Sequence, residues 1–231
     1  PFHRLRGGSM GAIEWSRFAQ YIEALIKYQA RNTRAPITAD SWEELTWAAL
    51  AHMYGRGNVI WRPRSHEPSI DIRVWVRGRE YKLALKAGVI KNGRLTLSSY
   101  RLTRFGKDLA EKLRFIGQEH SKKIDYYLIC AREEYVTHIT YRVYIVEPES
   151  LAPPQMLNPQ NWEDDGKKWY LKRRINGIYA CIVKSMSDQL WYDIDLDEAD
   201  FLKELVTVEI PKDQLGMGLI EFLREKFPQS A

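Results

Sequence analysis

The sequence predicts an α+β fold, mixed α/β in its core, in which a central mixed sheet with an antiparallel meander is flanked by helices. Three observations predict it. Two segments of helical period open the chain, the period changes to two across residues 69–100, and helical spacing returns at 105–120 before more alternating runs. With 231 residues, 45% of them hydrophobic and 12% aromatic, the chain can bury one large core.

The elements follow in order. "PFHRLRGGSM" resembles a cloning remnant (1–9) ahead of a start at Met10, and residues 10–231 read as a single domain. Phe18, Ile22, Leu25 and Ile26 recur at helical spacing within 13–30. "ADSWEELTWAALAHMYGRG" is a second helix, with Asp40 or Ser41 as its cap and Gly55 as its stop. "SIDIRVWV", "YKLALKAGVI" and "RLTLSSY" alternate as strands, joined by "RGR" and by the hairpin signal Asn92-Gly93. Leu109, Leu113 and Ile116 mark a third helix, followed by the strands "IDYYLICA" and "THITYRVYIVE". Residues 148–166 are loop by composition. "KKWYLKRRI", "IYACIVKS" and "QLWYDIDL" form a second strand cluster with turns at Asn176-Gly177 and Ser187-Asp188. "DEADFLKEL" and "GMGLIEFLREKF" read as helices.

The formal charge is +5, and setting aside Arg4 and Arg6 lowers it by two, so the basicity permits a polyanion partner without requiring one. No apolar run reaches the roughly 18 residues of a membrane span and no signal segment is evident, which predicts a cytoplasmic protein with no membrane partner. Cys130 and Cys181 lie in apolar strand-like runs and read as buried thiols. His52, His66, His120 and His138 have no metal-ligand spacing.

Register sharpens the meander. With Gly78 and Arg79 as the turn, Val76 faces Tyr81, Val74 faces Leu83 and Ile72 faces Leu85, which gathers the apolar residues on one face. The other face pairs Trp75 with Lys82, Arg73 with Ala84, and Asp71 with Lys86. Asp71 and Lys86 could be an ordinary cross-strand ion pair. Lys82 and Arg73 beside them would make the face cationic around one acid, which suits a phosphate.

Pro68 and Asp71 in "EPSID", followed by Ala84-Leu85-Lys86, resemble the PD-(D/E)XK nuclease superfamily over roughly residues 40–145, the expected core. The size and the "SSYRLTRFGK" segment resemble a type II restriction endonuclease in particular. The resemblance implies a site-specific cleavage of double-stranded DNA by a homodimer, with Mg²⁺ held by Asp71, an acid at position 84 and the Leu85 backbone carbonyl. Lys86 would act on the attacking water, and Glu44 or its neighbour Glu43 would supply an acid from the preceding helix. Residues 166–231 would serve DNA recognition or dimerisation.

Ala84 departs from the pattern, because a methyl group holds no metal. The alanine is then an introduced replacement of Glu or Asp, or the acid has migrated to Glu67, Glu80 or Glu111, or the site is natively inactive. Glu80-Tyr81-Lys82 is itself a literal E-x-K, but the register puts Glu80 at the turn, roughly 15–20 Å from Asp71 at about 3.3 Å per residue.

Other segments offer DNA contacts. Ser98, Ser99, Tyr100, Arg101, Arg104 and Lys107 precede a helix N-terminus, where backbone N–H groups favour phosphate; a solvated edge strand is the plain alternative. Lys172, Arg173 and Arg174 end a run that alternates aromatics with cations, equally readable as a charged outer strand face. In the turn "SMSDQ", Asp188 could accept from cytosine and Gln189 could bond adenine.

Overall fold

The computed structural model describes residues 13–61 and 70–227, without the side chains of 119–122. The segment 1–9 with Arg4 and Arg6, and His66, Glu67 and Pro68, lie outside the described residues, as does the side chain of His120.

Helix α1 (Trp15–Asn32) buries Phe18, Ile22 and Ile26, and α2 (Ala39–Tyr54) buries Trp42, Leu45 and Leu50. Thr38, rather than Asp40 or Ser41, caps α2. Its hydroxyl accepts from the Ser41 N–H while the Ser41 hydroxyl accepts from the Thr38 N–H, so Ser41 closes a capping box at the third helical position. Gly55 ends the helix with φ 90°.

Strands β1 (Val59–Trp61) and β2 (Ile72–Val76) lead to the long β3 (Arg79–Lys91) and to β4 (Arg94–Arg101). After α3 (Leu109–Lys122) come β5 (Tyr126–Glu134), β6 (His138–Val146), the short α4 (Pro148–Leu151), β7 (Trp162–Asp164), β8 (Lys168–Leu171), β9 (Ile178–Val183), β10 (Gln189–Asp195), β11 (Lys203–Pro211) and α5 (Met217–Lys226). The strands form one mixed sheet in the order β11-β6-β5-β3-β4-β10-β9-β8-β7, with β2 on β3 and β1 on β2. β3 and β5 run parallel and the other described pairs are antiparallel.

Helices cover both faces. α1 and α2 share a core with Val74, Leu83, Leu85 and Val143, and Trp42 Nε1 donates to the Leu128 carbonyl at 3.1 Å. α3 packs Leu113 and Ile116 on the other face, against Ala84, Tyr127, Ile129 and residues of β9 and β10. The C-terminal third is therefore woven into both ends of the sheet: β9 and β10 extend it beyond β4, and β11 beyond β6.

Three expectations change. The hairpin turn is Arg77-Gly78 (φ 51° and 84°), the pair of positive φ angles that a two-residue type I′ turn requires. The register accordingly moves by two: Ile72 faces Leu83, Arg73 faces Lys82, Val74 faces Tyr81 and Trp75 faces Glu80. A two-residue slip preserves the inward face but changes every neighbour across it. Second, "DEADFLKEL" is not a helix; residues 196–201 form turns, and Val206, Val208 and Ile210 alternate as β11 against β6. Third, the 148–166 segment holds α4 and β7, whose Trp162 is buried. Among the described residues, no helix is long and apolar enough to cross a membrane.

Candidate active site at a fork in the sheet

β3 has different neighbours along one edge. Residues 79–83 pair with β2 and residues 88–91 pair with β4, and among the described residues no strand pairs with 84–87 on this edge. On its other side β3 is held throughout this stretch by β5, from Leu83 to Ile90. Among the described residues, the backbone groups of Leu85 have no strand partner on the fork side, while β5 holds the other.

Asp71 fills part of that gap. It directly precedes β2, its N–H donates to the Leu83 carbonyl at 3.0 Å, and its Oδ2 accepts the Leu85 N–H at 2.6 Å. Lys86 Nζ stands 3.0 Å from the Leu85 carbonyl oxygen and 3.8 Å from Asp71 Oδ2, with both side chains largely covered. Asp71, Leu85 and Lys86 are thus brought together, although by a different register from the one expected. Ala84 shares a face of β3 with Lys86 and is fully buried.

The helix supplies Glu43. Glu44 is exposed, whereas Glu43 is half-buried, accepts from Trp61 Nε1 at 3.0 Å and lies within electrostatic reach of both Asp71 and Lys86. Burial raises the Glu43 carboxyl above its ordinary value; the indole N–H and Lys86 offset this and Asp71 adds to it. The sequence offered both glutamates, and the buried Trp42 and Leu45 in the helical pattern did not decide between neighbours at the edge of the stripe.

The cationic face is more neutral than expected. Arg73 donates to Glu80 at 2.7 Å and Lys82 lies 3.6 Å from the same carboxylate, whose pKa the Arg73 hydrogen bond lowers. Glu80 is thereby occupied as an ion-pair partner. Glu111 is occupied too, accepting the Lys107 N–H at 2.7 Å at the start of α3, where Asp108 accepts the Glu111 N–H.

Among the proposed DNA contacts, Arg101, Arg104, Lys107, Lys172 and Arg173 are exposed. Ser98 and Ser99 are half-buried in β4, which lies inside the sheet between β3 and β10. Tyr100 points inward, its hydroxyl 2.7 Å from that of the buried Tyr127. Arg174 is held by Asp193 and by the carbonyls of Gly177 and Asp193. Gln189 bonds the Ser99 carbonyl at 3.4 Å, and the Asp188 carboxylate is 3.5 Å from the ammonium of Lys112. That buried lysine also donates to the Gly106 carbonyl and lies 5.6 Å from the Trp169 ring; nothing in the sequence pattern singled it out.

No protein-family model and no curated protein matches the chain. Among solved structures it is similar to a restriction endonuclease in complex with substrate DNA, at a TM-score of 0.35 and 11% identity over 79% of this chain and 85% of that one. The likeness is too distant to bear on function.

Proposed function

We propose that the protein is a Mg²⁺-dependent, sequence-specific double-stranded DNA endonuclease of the type II restriction class, in which Ala84 stands where the active enzyme carries Glu or Asp. The observation that carries this reading is the meeting of Asp71 Oδ2, the Leu85 carbonyl and Lys86 Nζ between the ends of β2 and β4, with the ammonium within 3.8 Å of both oxygens.

The donors suit magnesium in kind. Asp71 and the Leu85 carbonyl are hard oxygen ligands, with Glu43 nearby, and magnesium is commonly held by one or two carboxylates plus water. An acid at position 84 would add a further carboxylate to Asp71 and Glu43. Bound Mg²⁺ supplies charge neutralisation at the scissile phosphate and a hydroxide near neutral pH. Lys86, largely covered and adjoining those oxygens, would orient the attacking water or take its proton. In-line attack would leave 5′-phosphate and 3′-hydroxyl ends. The exposed Arg101, Arg104, Lys107, Lys172 and Arg173 would grip backbone phosphates, and two copies related by a two-fold axis would cut both strands of a palindromic site.

A second reading, a non-catalytic DNA-binding protein on the same fold, is favoured by the Ala84 methyl and by the Lys86 ammonium resting against the Leu85 carbonyl. Cleavage of plasmid DNA with Mg²⁺ by the chain, by Ala84→Glu and by Ala84→Glu with Lys86→Ala separates the two. Discrete fragments from Ala84→Glu alone are expected. DNA binding by all three without cleavage would move the second reading ahead.

A further inference from the structure

Lys112 is 1% exposed, a cation carried into the packed face of α3. Its ammonium joins three segments that are distant in sequence. It donates to the Gly106 carbonyl in the loop before α3, lies 3.5 Å from the Asp188 carboxylate in the turn between β9 and β10, and stands 5.6 Å from the Trp169 ring on β8. A buried ion pair adds little net stability over apolar side chains of the same size; its best-attested use is to hold one arrangement against others.

What Lys112 holds is the loop 102–107 against the turn 184–188. The two are also tied directly: Thr103 Oγ1 donates to the Ser187 carbonyl at 2.7 Å, and the Leu102 N–H donates to the Asp188 carbonyl at 3.1 Å. Ser187 and Asp188 are both left-handed, at φ 61° and 53°, in a turn without glycine. Such residues persist where their surroundings over-determine them, and they gather at functional sites. The tip of the turn, Ser185, Met186 and Ser187, is exposed.

The register sets this unit beside the candidate site. Leu97 faces Gly88 on β3, and β4 runs on to Arg101, which brings its end to about the level of Ala84 and Leu85. Arg101 pairs with Gln189, so the turn leaves the sheet at that same level. Arg101, Arg104 and Lys107 are exposed around it, and none has an ion-pair partner among the described residues.

We propose that Met186 and Ser187 read base pairs in a groove of duplex DNA beside the scissile phosphate, and that Lys112 is the positioning residue that fixes where this tip stands. The assignment rests on the nuclease reading of the site. The flanking cations suit backbone phosphates, which orient a protein on the duplex but carry no sequence information. The Ser187 hydroxyl can donate or accept at a base edge, and the Met186 side chain offers an apolar contact to a thymine methyl. Asp188 and Gln189, the readers expected from the sequence, are occupied in holding the turn, by Lys112 and by the Ser99 carbonyl.

The test is binding by the full chain. Duplexes selected by the parent from a random-sequence pool define a preferred site, and fluorescence anisotropy compares its affinity with that of a scrambled duplex over a range of salt. Met186→Ala and Ser187→Gly, the latter compatible with the left-handed backbone, are each expected to lower the ratio of the two affinities about 5–150-fold. Affinity for the scrambled duplex should stay within about twofold and the salt slope should not move, because the phosphate contacts remain. Lys112→Met combined with Asp188→Asn removes both buried charges together and keeps at 188 a residue that tolerates a positive φ. Folded by circular dichroism, this variant is expected to lose the ratio in the same way, although neither side chain meets DNA. If it does not fold, Thr103→Val, which cuts the tie to Ser187 at the surface, is expected to lower the ratio instead. A parent without sequence preference, tip variants that keep the parent's ratio, or a folded lock variant that keeps it would each overturn the proposal and leave DNA binding standing. A parent that binds no duplex would overturn both.

Discussion

Replacing Ala84 by glutamate should make the stability of the fold depend on divalent metal. Ala84 is fully buried, packed on the α3 side of the sheet, and shares a strand face with Lys86, whose ammonium is 3.8 Å from Asp71. A longer side chain there over-packs the site, typically at 1–3 kcal/mol, and brings a new carboxylate towards Asp71 and Glu43, so a metal-free loss of about 2–4 kcal/mol is expected. Metal that binds the folded state alone restores about 2.7 kcal/mol at roughly 100 times its Kd. For a chain of this length each kcal/mol moves Tm by about 2–4 °C, which makes the metal-induced rise about 5–11 °C. The assay is thermal unfolding followed by circular dichroism, with and without Ca²⁺ or Mg²⁺, on Ala84→Glu and on the parent. The parent should respond far less, and adding Asp71→Asn to Ala84→Glu should abolish the rise. An Ala84→Glu protein whose Tm ignores divalent ions would refute the reasoning that position 84 completes a metal site.

Four further outcomes follow from the same geometry. Asp71→Ala leaves the Leu85 N–H without its acceptor and removes the carboxylate 3.8 Å from Lys86, and urea unfolding should register a loss of about 1–3 kcal/mol. Lys112→Ala strands the Asp188 carboxylate in a largely covered site and should cost about 3–5 kcal/mol, read in the same way. Burial raises the Glu43 carboxyl, so its ionised form opposes folding: the penalty is absent below the ordinary value of about 4.3 and grows as pH rises through the folded value. Glu43→Gln should therefore gain stability relative to the parent at neutral pH and lose that advantage at about pH 4. The Cys130 thiol, pushed up to about 12 by complete burial, should resist an aromatic disulfide reagent at pH 8 until the protein unfolds.

The hairpin illustrates how far the sequence could be read. Period-two alternation from Ile72 to Leu85 fixes which residues face the core, because any even shift preserves that face. It does not fix which residues are neighbours, since that depends on which two residues occupy the turn. Gly78 can adopt a positive φ at either turn position; the structure uses it second, with Arg77 first, and Asp71 meets Leu85 as well as Lys86. Missing β11 has a similar cause. The acidic run "DEAD" and Leu202 extend a helix-like pattern into residues whose own alternation, Val206, Val208 and Ile210, is satisfied by pairing with β6. The identity of the acid on α2 and the buried Lys112 depend on contacts across 18 and 76 positions of chain, which local pattern does not encode.

The fork is what gives the site its chemistry. A strand paired on both edges spends its carbonyls on neighbouring strands, and a strand at the rim of a sheet exposes them to water. Between Ala84 and Ala87, β5 holds β3 on one side, while on the other edge no strand of the described residues pairs with it between the end of β2 and the start of β4. Buried backbone groups need partners, and here side chains provide them, the Asp71 carboxylate to the Leu85 N–H and the Lys86 ammonium to the Leu85 carbonyl. An anion and a cation are thus held at fixed positions by the same residue's backbone. If the lysine were there for stability alone, Lys86→Met would cost little beyond one hydrogen bond, about 1 kcal/mol. In the Ala84→Glu background the same substitution should abolish cleavage while leaving the metal-induced rise in Tm in place, an outcome that a merely structural lysine would not produce.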